Sequence, residues 1–298
     1  MIVQIAKHSG FCYGVKRAVQ ILDDLIESNN GQKKVFTLGP IIHNNQVTEY
    51  YEEKGVKIIE KLTDFVDNRV DGDRLVIRSH GAPKFVYDLA EAQGFVVYDA
   101  TCPYVKKIQN TVSSYHLKGY NIIIVGDMNH PEVLGINGWC DESATIMNNL
   151  HDVENMKPSD EPFCIVAQTT FNLSTWDQMI DLFSKKLSNV IINNTICLAT
   201  EQRQNACVEL SKSVDFMIVI GGKHSSNTRK LVEICSKNAT TIHIETKDDL
   251  VDVSMFKSDT KIGIAAGAST PDWIVESVIL KIENEGEVFF DGKSQFNG

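Results

Sequence analysis

Nowhere in these 298 residues do 18 consecutive apolar residues occur, so no membrane-spanning helix is expected. No basic segment followed by an apolar one opens the chain. Its first residues, MIVQIAK, read as a strand, and Cys12 follows too soon to leave room for a removable leader. The seven cysteines are an odd number, a poor basis for a disulfide framework, and no C-x2-C pair offers a closed zinc site. A cytoplasmic setting with thiols free or metal-bound is the expectation. Walker-type and G-x-G-x-x-G loops are missing, so a nucleotide is not indicated. Cations are scarce: 29 Lys and Arg face 39 Asp and Glu, a formal net charge of −10. That argues against duplex nucleic acid as a partner, since phosphate neutralisation needs clustered cations. It leaves room for a small anion held by local donors.

What is present is a repeat. Cys12 (GFCYGVKRAV), Cys102 (DATCPYVKK) and Cys197 (NTICLATEQR) stand 90 and 95 residues apart, each at or just before a helical pattern. A hydrophobic strand closing on glycine recurs as VFTLG, IIIVG and MIVIG, at Gly39, Gly126 and Gly221. Four residues on stand His43, His130 and Ser225. A second strand-to-loop junction recurs as LVIRSHGAP, FCIVAQTTFN and KIGIAAGASTP, presenting His80, Thr169 and Ser269. Three diverged α/β units are expected: residues 1–101, 102–196 and 197–290, with a mobile tail at 291–298. Strands alternating with helices imply small parallel sheets whose ligands bind at the carboxyl ends of strands, where all these loops fall.

Periodicity predicts helices over 14–27, 45–54, 64–68, 84–93, 103–118, 133–140, 174–188, 201–214 and 271–284. Short apolar runs predict strands at 35–38, 56–59, 75–78, 95–98, 121–125, 145–147, 163–167, 190–192, 216–220, 241–244, 261–265 and 288–290.

A lone cysteine is most often a buried core thiol, and Cys140, Cys164, Cys207 and Cys235, at unmatched positions among apolar neighbours, are read so. Three thiols at one repeat position suit a metal cluster on a pseudo-threefold axis. Iron–sulfur clusters take thiolates, usually four, so three would leave one iron open, and a helix N-terminus stabilises a thiolate. The loops GPIIHNNQ, GDMNHPEV and GGKHSSNT add Ser226 and Asn227 to the donors. Taken singly these are ordinary helix caps; six such loops together favour an anion pocket. Glu132 is the carboxylate singled out in the six loops, two residues after His130; Asp127 stands in the same loop. Glu132 reads either as a proton-holding acid or as an acid favoured at a helix start.

The motifs GFCYGV, LGPIIHN, RSHGAP, DATCP, NHPEV, QTT, TIC–AT–RQ, GGKHSSNT and AGASTP occur in the order found in the 4-hydroxy-3-methylbut-2-enyl diphosphate reductases, and the chain resembles that family over essentially its whole length. The resemblance implies a trefoil-like set of three α/β domains around one central [4Fe-4S] cluster ligated by Cys12, Cys102 and Cys197. It implies substrate contacts at His43, His80, His130, Thr169, Ser225, Ser226, Asn227 and Ser269, with Glu132 as proton donor. Glu201, in LATEQRQ, departs from the small or neutral residue expected there. The implied reaction is a two-electron, two-proton reductive dehydroxylation. The allylic diphosphate binds its hydroxyl at the open iron and gives isopentenyl and dimethylallyl diphosphate, with electrons from a small ferredoxin- or flavodoxin-type protein. The competing readings are a quinolinate-synthase-like iron–sulfur dehydratase, which would call for bidentate arginines in the loops, and an iron–sulfur sensor, which would need a nucleic-acid-binding element.

Overall fold

A computed structural model describes residues 1–29, 31, 33–62, 71–250, 256, 259–285 and 289–290. The expected helix at 64–68 and the tail at 291–298 lie outside the described residues. Strand β1 (Ile2–Ile5) leads through the Cys12 loop to helix α1 (Tyr13–Glu27). The chain continues as β2 (Val35–Leu38), α2 (Asn45–Glu53), β3 (Lys57–Ile59), β4 (Arg74–Ile77), α3 (Lys84–Ala92) and β5 (Val96–Asp99). A second round runs α4 (Pro103–His116), β6 (Asn121–Val125), α5 (Pro131–Asn137), β7 (Thr145–Met147), α6 (Leu150–Glu154), β8 (Phe163–Ala167), α7 (Leu173–Lys186) and β9 (Val190–Ile192). The third is α8 (Leu198–Ser211), β10 (Phe216–Ile220), α9 (Ser226–Cys235), β11 (Thr240–Ile244), β12 (Lys261–Ala266), α10 (Asp272–Glu285) and β13 (Phe289–Phe290).

The strands form three sheets, in the orders β3-β2-β4-β5, β7-β6-β8-β9 and β11-β10-β12-β1-β13. Every pairing between these strands is parallel. Crossover helices cover both faces of such sheets, so the strands are apolar throughout rather than alternating. In the third sheet Ile218 and Ile220 face one core with Val3, Ile262, Ile264 and Val278. Met217 and Val219 face the other with Cys207, Leu231 and Cys235. The helices supply the matching stripes: α1 buries Val15, Ala18, Leu22 and Leu25 at three- and four-residue spacing.

The repeat is visible in the strand order. The glycine-ended strand is second in each sheet (β2, β6, β10) and the junction strand third (β4, β8, β12). Fourth comes the strand that delivers a cysteine: β5 for Cys102, β9 for Cys197 and β1 for Cys12. This differs from the expectation that residues 1–101 form one unit. The N-terminal strand completes the third sheet instead, because that is the place a cysteine-delivering strand takes in this plan, with Met1 and Val3 buried beside Ile262 and Ile264. The chain gathers into two compact units. Met1–Cys12, His43–Asn45 and Leu198–Gly298 make one, with the five-stranded sheet; Tyr13–Ile42 and Gln46–Cys197 make the other, with both four-stranded sheets.

Candidate active site

The seven cysteines divide as the repeat predicts. Cys140, Cys164, Cys207 and Cys235 are buried, whereas Cys12, Cys102 and Cys197 are only partly so. All three stand immediately before a helix: Cys12 before α1, Cys102 as the N-cap of α4, Cys197 before α8. Each backbone is pinned to the junction loop of its own sheet. The Cys102 N–H donates to the Ser79 carbonyl at 2.9 Å, that of Cys197 to Thr169 at 3.0 Å, and that of Cys12 to Ala268 at 3.2 Å. One close approach demands glycine: a Cβ on Gly14 would stand 2.5 Å from the Cys102 sulfur, which explains the second glycine of GFCYGV.

In the unit with the four-stranded sheets, the loops after β4, β6 and β8 carry His80, His130, Glu132 and Thr169. His130 caps α5: its Nδ1 accepts the Glu132 N–H at 3.2 Å. That fixes the neutral tautomer with the proton on Nε2. The His80 and His130 rings meet edge to face, centroids 5.4 Å apart. Glu132 is buried, and both its oxygens are engaged by one residue: the Thr169 N–H donates to Oε1 at 2.6 Å and the Thr169 hydroxyl to Oε2 at 2.7 Å. These bonds favour the carboxylate, but loss of water around the group outweighs them and pushes it up to about 7. Glu132 stands in the first turn of α5, as the helix-start reading has it.

In the other unit, His43, Ser225, Ser226, Asn227 and Ser269 come together after β10 and β12. Ser225 caps α9, accepting the Thr228 N–H at 3.3 Å. The Ser269 hydroxyl donates to the His43 carbonyl at 3.1 Å and lies 3.4 Å from the Ser225 hydroxyl. A Cβ on Gly222 would come within 2.8 Å of that His43 carbonyl, so the GG pair of GGKHSSNT lets the two segments close. Asn227 is 4% exposed, yet neither atom of its carboxamide has a hydrogen-bond partner. A buried amide left so costs about 1–3 kcal/mol.

The family model described as "LytB protein" matches residues 3–283. This chain belongs to the LytB family. A relative from Clostridioides difficile (strain 630) named 4-hydroxy-3-methylbut-2-enyl diphosphate reductase is 48% identical over 285 residues, 95% of this chain and 100% of that one. One of the same name from Caldanaerobacter subterraneus subsp. tengcongensis is 50% identical, covering 95% and 97%. Among solved structures, an (E)-4-hydroxy-3-methyl-but-2-enyl diphosphate reductase described as the terminal enzyme of the non-mevalonate pathway matches with TM-score 0.67 at 38% identity, covering 95% and 99%. The Plasmodium falciparum E-1-hydroxy-2-methyl-but-2-enyl-4-diphosphate reductase matches with TM-score 0.86 at 26% identity, covering 99% and 93%.

The LytB chain also contains supporting residues that sequence reasoning passed over. Arg203, buried in α8, donates to the Gly10 carbonyl at 2.6 Å and to that of Ala199 at 3.1 Å, fixing the approach to Cys12. Arg17 does the same before Cys102, reaching the carbonyls of Thr101 (3.2 Å) and Asp99 (3.3 Å). Gln168 accepts the Asp127 N–H at 3.1 Å and donates to the Thr170 hydroxyl at 3.0 Å. It thereby ties the β6 loop that leads to Glu132 to the β8 loop that carries Thr169. Their signals lay inside the motifs GVKR, TIC–AT–RQ and QTT. Glu201 sits in the first turn of α8, where the helix dipole favours an acid.

Proposed function

We propose that this LytB chain is an iron–sulfur oxidoreductase that reduces (E)-4-hydroxy-3-methylbut-2-enyl diphosphate to isopentenyl and dimethylallyl diphosphate. The C–O bond of the allylic alcohol breaks, two electrons and two protons enter, and water leaves. Cys12, Cys102 and Cys197 are the thiolates that would hold a [4Fe-4S] cluster. Their half-exposure at helix starts, against the full burial of the other four cysteines, fits that use. When bound, such a cluster supplies Lewis acidity toward the hydroxyl and a path for electrons.

The chain's own residues do the rest. Ser225, Ser226, Asn227, Ser269 and His43 are assigned to oxygens of the diphosphate, and the unpartnered carboxamide of Asn227 is the vacancy such an oxygen would fill. His80 and His130 add donors; with Nδ1 occupied by the Glu132 N–H, the Nε2–H of His130 is the end that can donate. Glu132 is assigned as the acid. Held up to about 7 by burial, it is protonated in a large share of molecules at neutral pH, and the Thr169 hydroxyl, 2.7 Å away, is placed to relay the proton. A small ferredoxin- or flavodoxin-type protein is the proposed electron source.

The observation that carries this reading is the buried Glu132–Thr169 pair, a carboxyl kept protonatable and aimed by two hydrogen bonds. The test is anaerobic: iron and sulfide content of the purified protein, then turnover of the allylic diphosphate with a chemical reductant. Protein containing about four irons that left the diphosphate unreduced would end the proposal.

A further inference from the structure

The acidic chain carries a cationic groove beside one of its repeat cysteines. A groove of about 640 Å³ runs along α4, in the unit with the four-stranded sheets, and its walls include Thr101 and Pro103, the residues on either side of Cys102. Four cations (Arg17, Lys106, Lys107 and Lys118) line it against one carboxylate, Asp99. That carboxylate is already neutralised by Lys106 at 2.9 Å. Lys106 also lies over the Tyr87 and Trp139 rings, 4.9 and 4.8 Å from their centroids. Lys107 and Lys118 are left exposed, and neither makes an ion pair among the described residues. The α4 residues in the groove, Pro103, Lys106, Lys107, Asn110, Thr111, Ser114 and Tyr115, recur at three- and four-residue spacing, so they form one continuous stripe of the helix. Two aromatic residues next in sequence to residues at Cys102, Tyr13 before Gly14 and Tyr104 after Pro103, stand in solvent outside the groove lining, 66% and 45% exposed. Tyrosine is enriched at protein interfaces, where an apolar ring and a polar tip both find partners.

A chain with net charge −10 repels an acidic protein on the whole, so a cationic patch is where such a protein can approach. We propose that this groove, with Tyr13 and Tyr104, is the docking face for a small acidic one-electron carrier protein, which delivers electrons at the Cys102 edge. The proposal rests on the reductase reading, which requires two electrons per turnover. A carrier bringing one at a time must dock, be oxidised and leave twice. That calls for a small, transient interface of complementary charge, in which steering sets the on-rate. Electron-transfer partners of this kind bind weakly and respond strongly to salt, because exposed charges are screened within about 10 Å at 0.1 M ionic strength.

The experiment uses the cluster-loaded protein and an acidic ferredoxin as probe, with affinity read by NMR titration and reduction followed separately with dithionite and methyl viologen. In K107E/K118E, ferredoxin affinity at low ionic strength should fall at least tenfold and its salt dependence flatten, while dye-driven turnover stays at the wild-type rate. K107A/K118A should give an intermediate loss. Unchanged affinity and salt response in both variants would overturn the docking face. So would tight binding of an RNA oligonucleotide to the groove with ferredoxin left unbound. So would equal loss with dye and with ferredoxin, since the groove would then serve the chemistry itself. Absence of dye-driven turnover in the wild-type protein would instead remove the reductase reading.

Discussion

Two regions of the molecule, one in each unit, are built on opposite principles. The Glu132 carboxyl has protein partners on both oxygens, Thr169 donating to each, and the Glu132 N–H donates to His130. At Asn227 the reverse holds, with a buried carboxamide left unpaired near Ser225 and Ser269. A satisfied carboxyl in a dry setting is suited to hold and release a proton without rearranging. An unsatisfied amide is suited to take up an oxygen from outside. The difference separates the proposed chemistry from the proposed binding, and each region can be broken without the other.

The largest effect removes what both regions would serve. Cys102→Ser or Cys197→Ser should abolish iron retention and turnover together, while Cys140→Ser and Cys235→Ser keep both; visible absorbance and iron analysis decide it. Next, Glu132→Gln should lower turnover about 10²–10⁴-fold with little change in KM, since the amide still hydrogen-bonds but carries no transferable proton. Wild-type single-turnover rates in this variant would reject Glu132 as the acid. Asn227→Leu should do the opposite, raising KM roughly tenfold to a hundredfold and leaving kcat closer to wild type. Without substrate, this variant should melt above the wild-type protein, because the unpaired amide is gone. Diphosphate should raise the melting temperature of the wild type but not of Asn227→Leu.

The smallest effect is a pH dependence. Glu132 titrates near 7 in the fold against an ordinary value of 4.5, so between those values the folded state binds the extra proton. Its contribution is neutral below 4.5 and becomes a penalty as pH rises through about 7, reaching on the order of 3 kcal/mol. Wild-type stability should therefore fall relative to Glu132→Gln as pH rises from 5 to 8. A constant gap measured by urea unfolding would contradict the raised value.

Much of the fold was legible because buried parallel strands read as unbroken apolar runs. Asn121–Val125, Phe163–Ala167 and Phe216–Ile220 are bounded in the structure as their sequence suggests. Helices whose buried faces are polar were harder. Helix α8 buries Thr200, Arg203, Gln204, Cys207 and Ser211, so apolar periodicity placed it at 201–214 instead of Leu198–Ser211. Helix α9 went unread: its first turn, Ser226, Asn227 and Thr228, is buried polar sequence, which looks like loop until a ligand role explains it. Helix α6, five residues held by the capping box of Asn149 and Asp152, is too short to show a period. The loops that carry the thiol, histidine and serine candidates follow the repeat, and the structure places them after the strands the sequence assigned. Arg17 and Arg203 lay inside motifs but were passed over, since what they bind is backbone carbonyl, which a motif does not name.

The place of β1 in the third sheet bears on the order in which this protein can be made. Ile2–Ile5 pair with Lys261–Ala266, a strand far along the chain that is made long after them. Both four-stranded sheets can form while the chain is still growing, and with them the Cys102 and Cys197 loops. The Cys12 loop, tied to Ala268, cannot. Closing so long a loop is slow, and until it closes the N-terminal strand is an unpaired apolar edge, the kind of surface on which nascent chains aggregate. The Cys12 loop is thus the last of the three cysteine loops to be positioned, after those of Cys102 and Cys197.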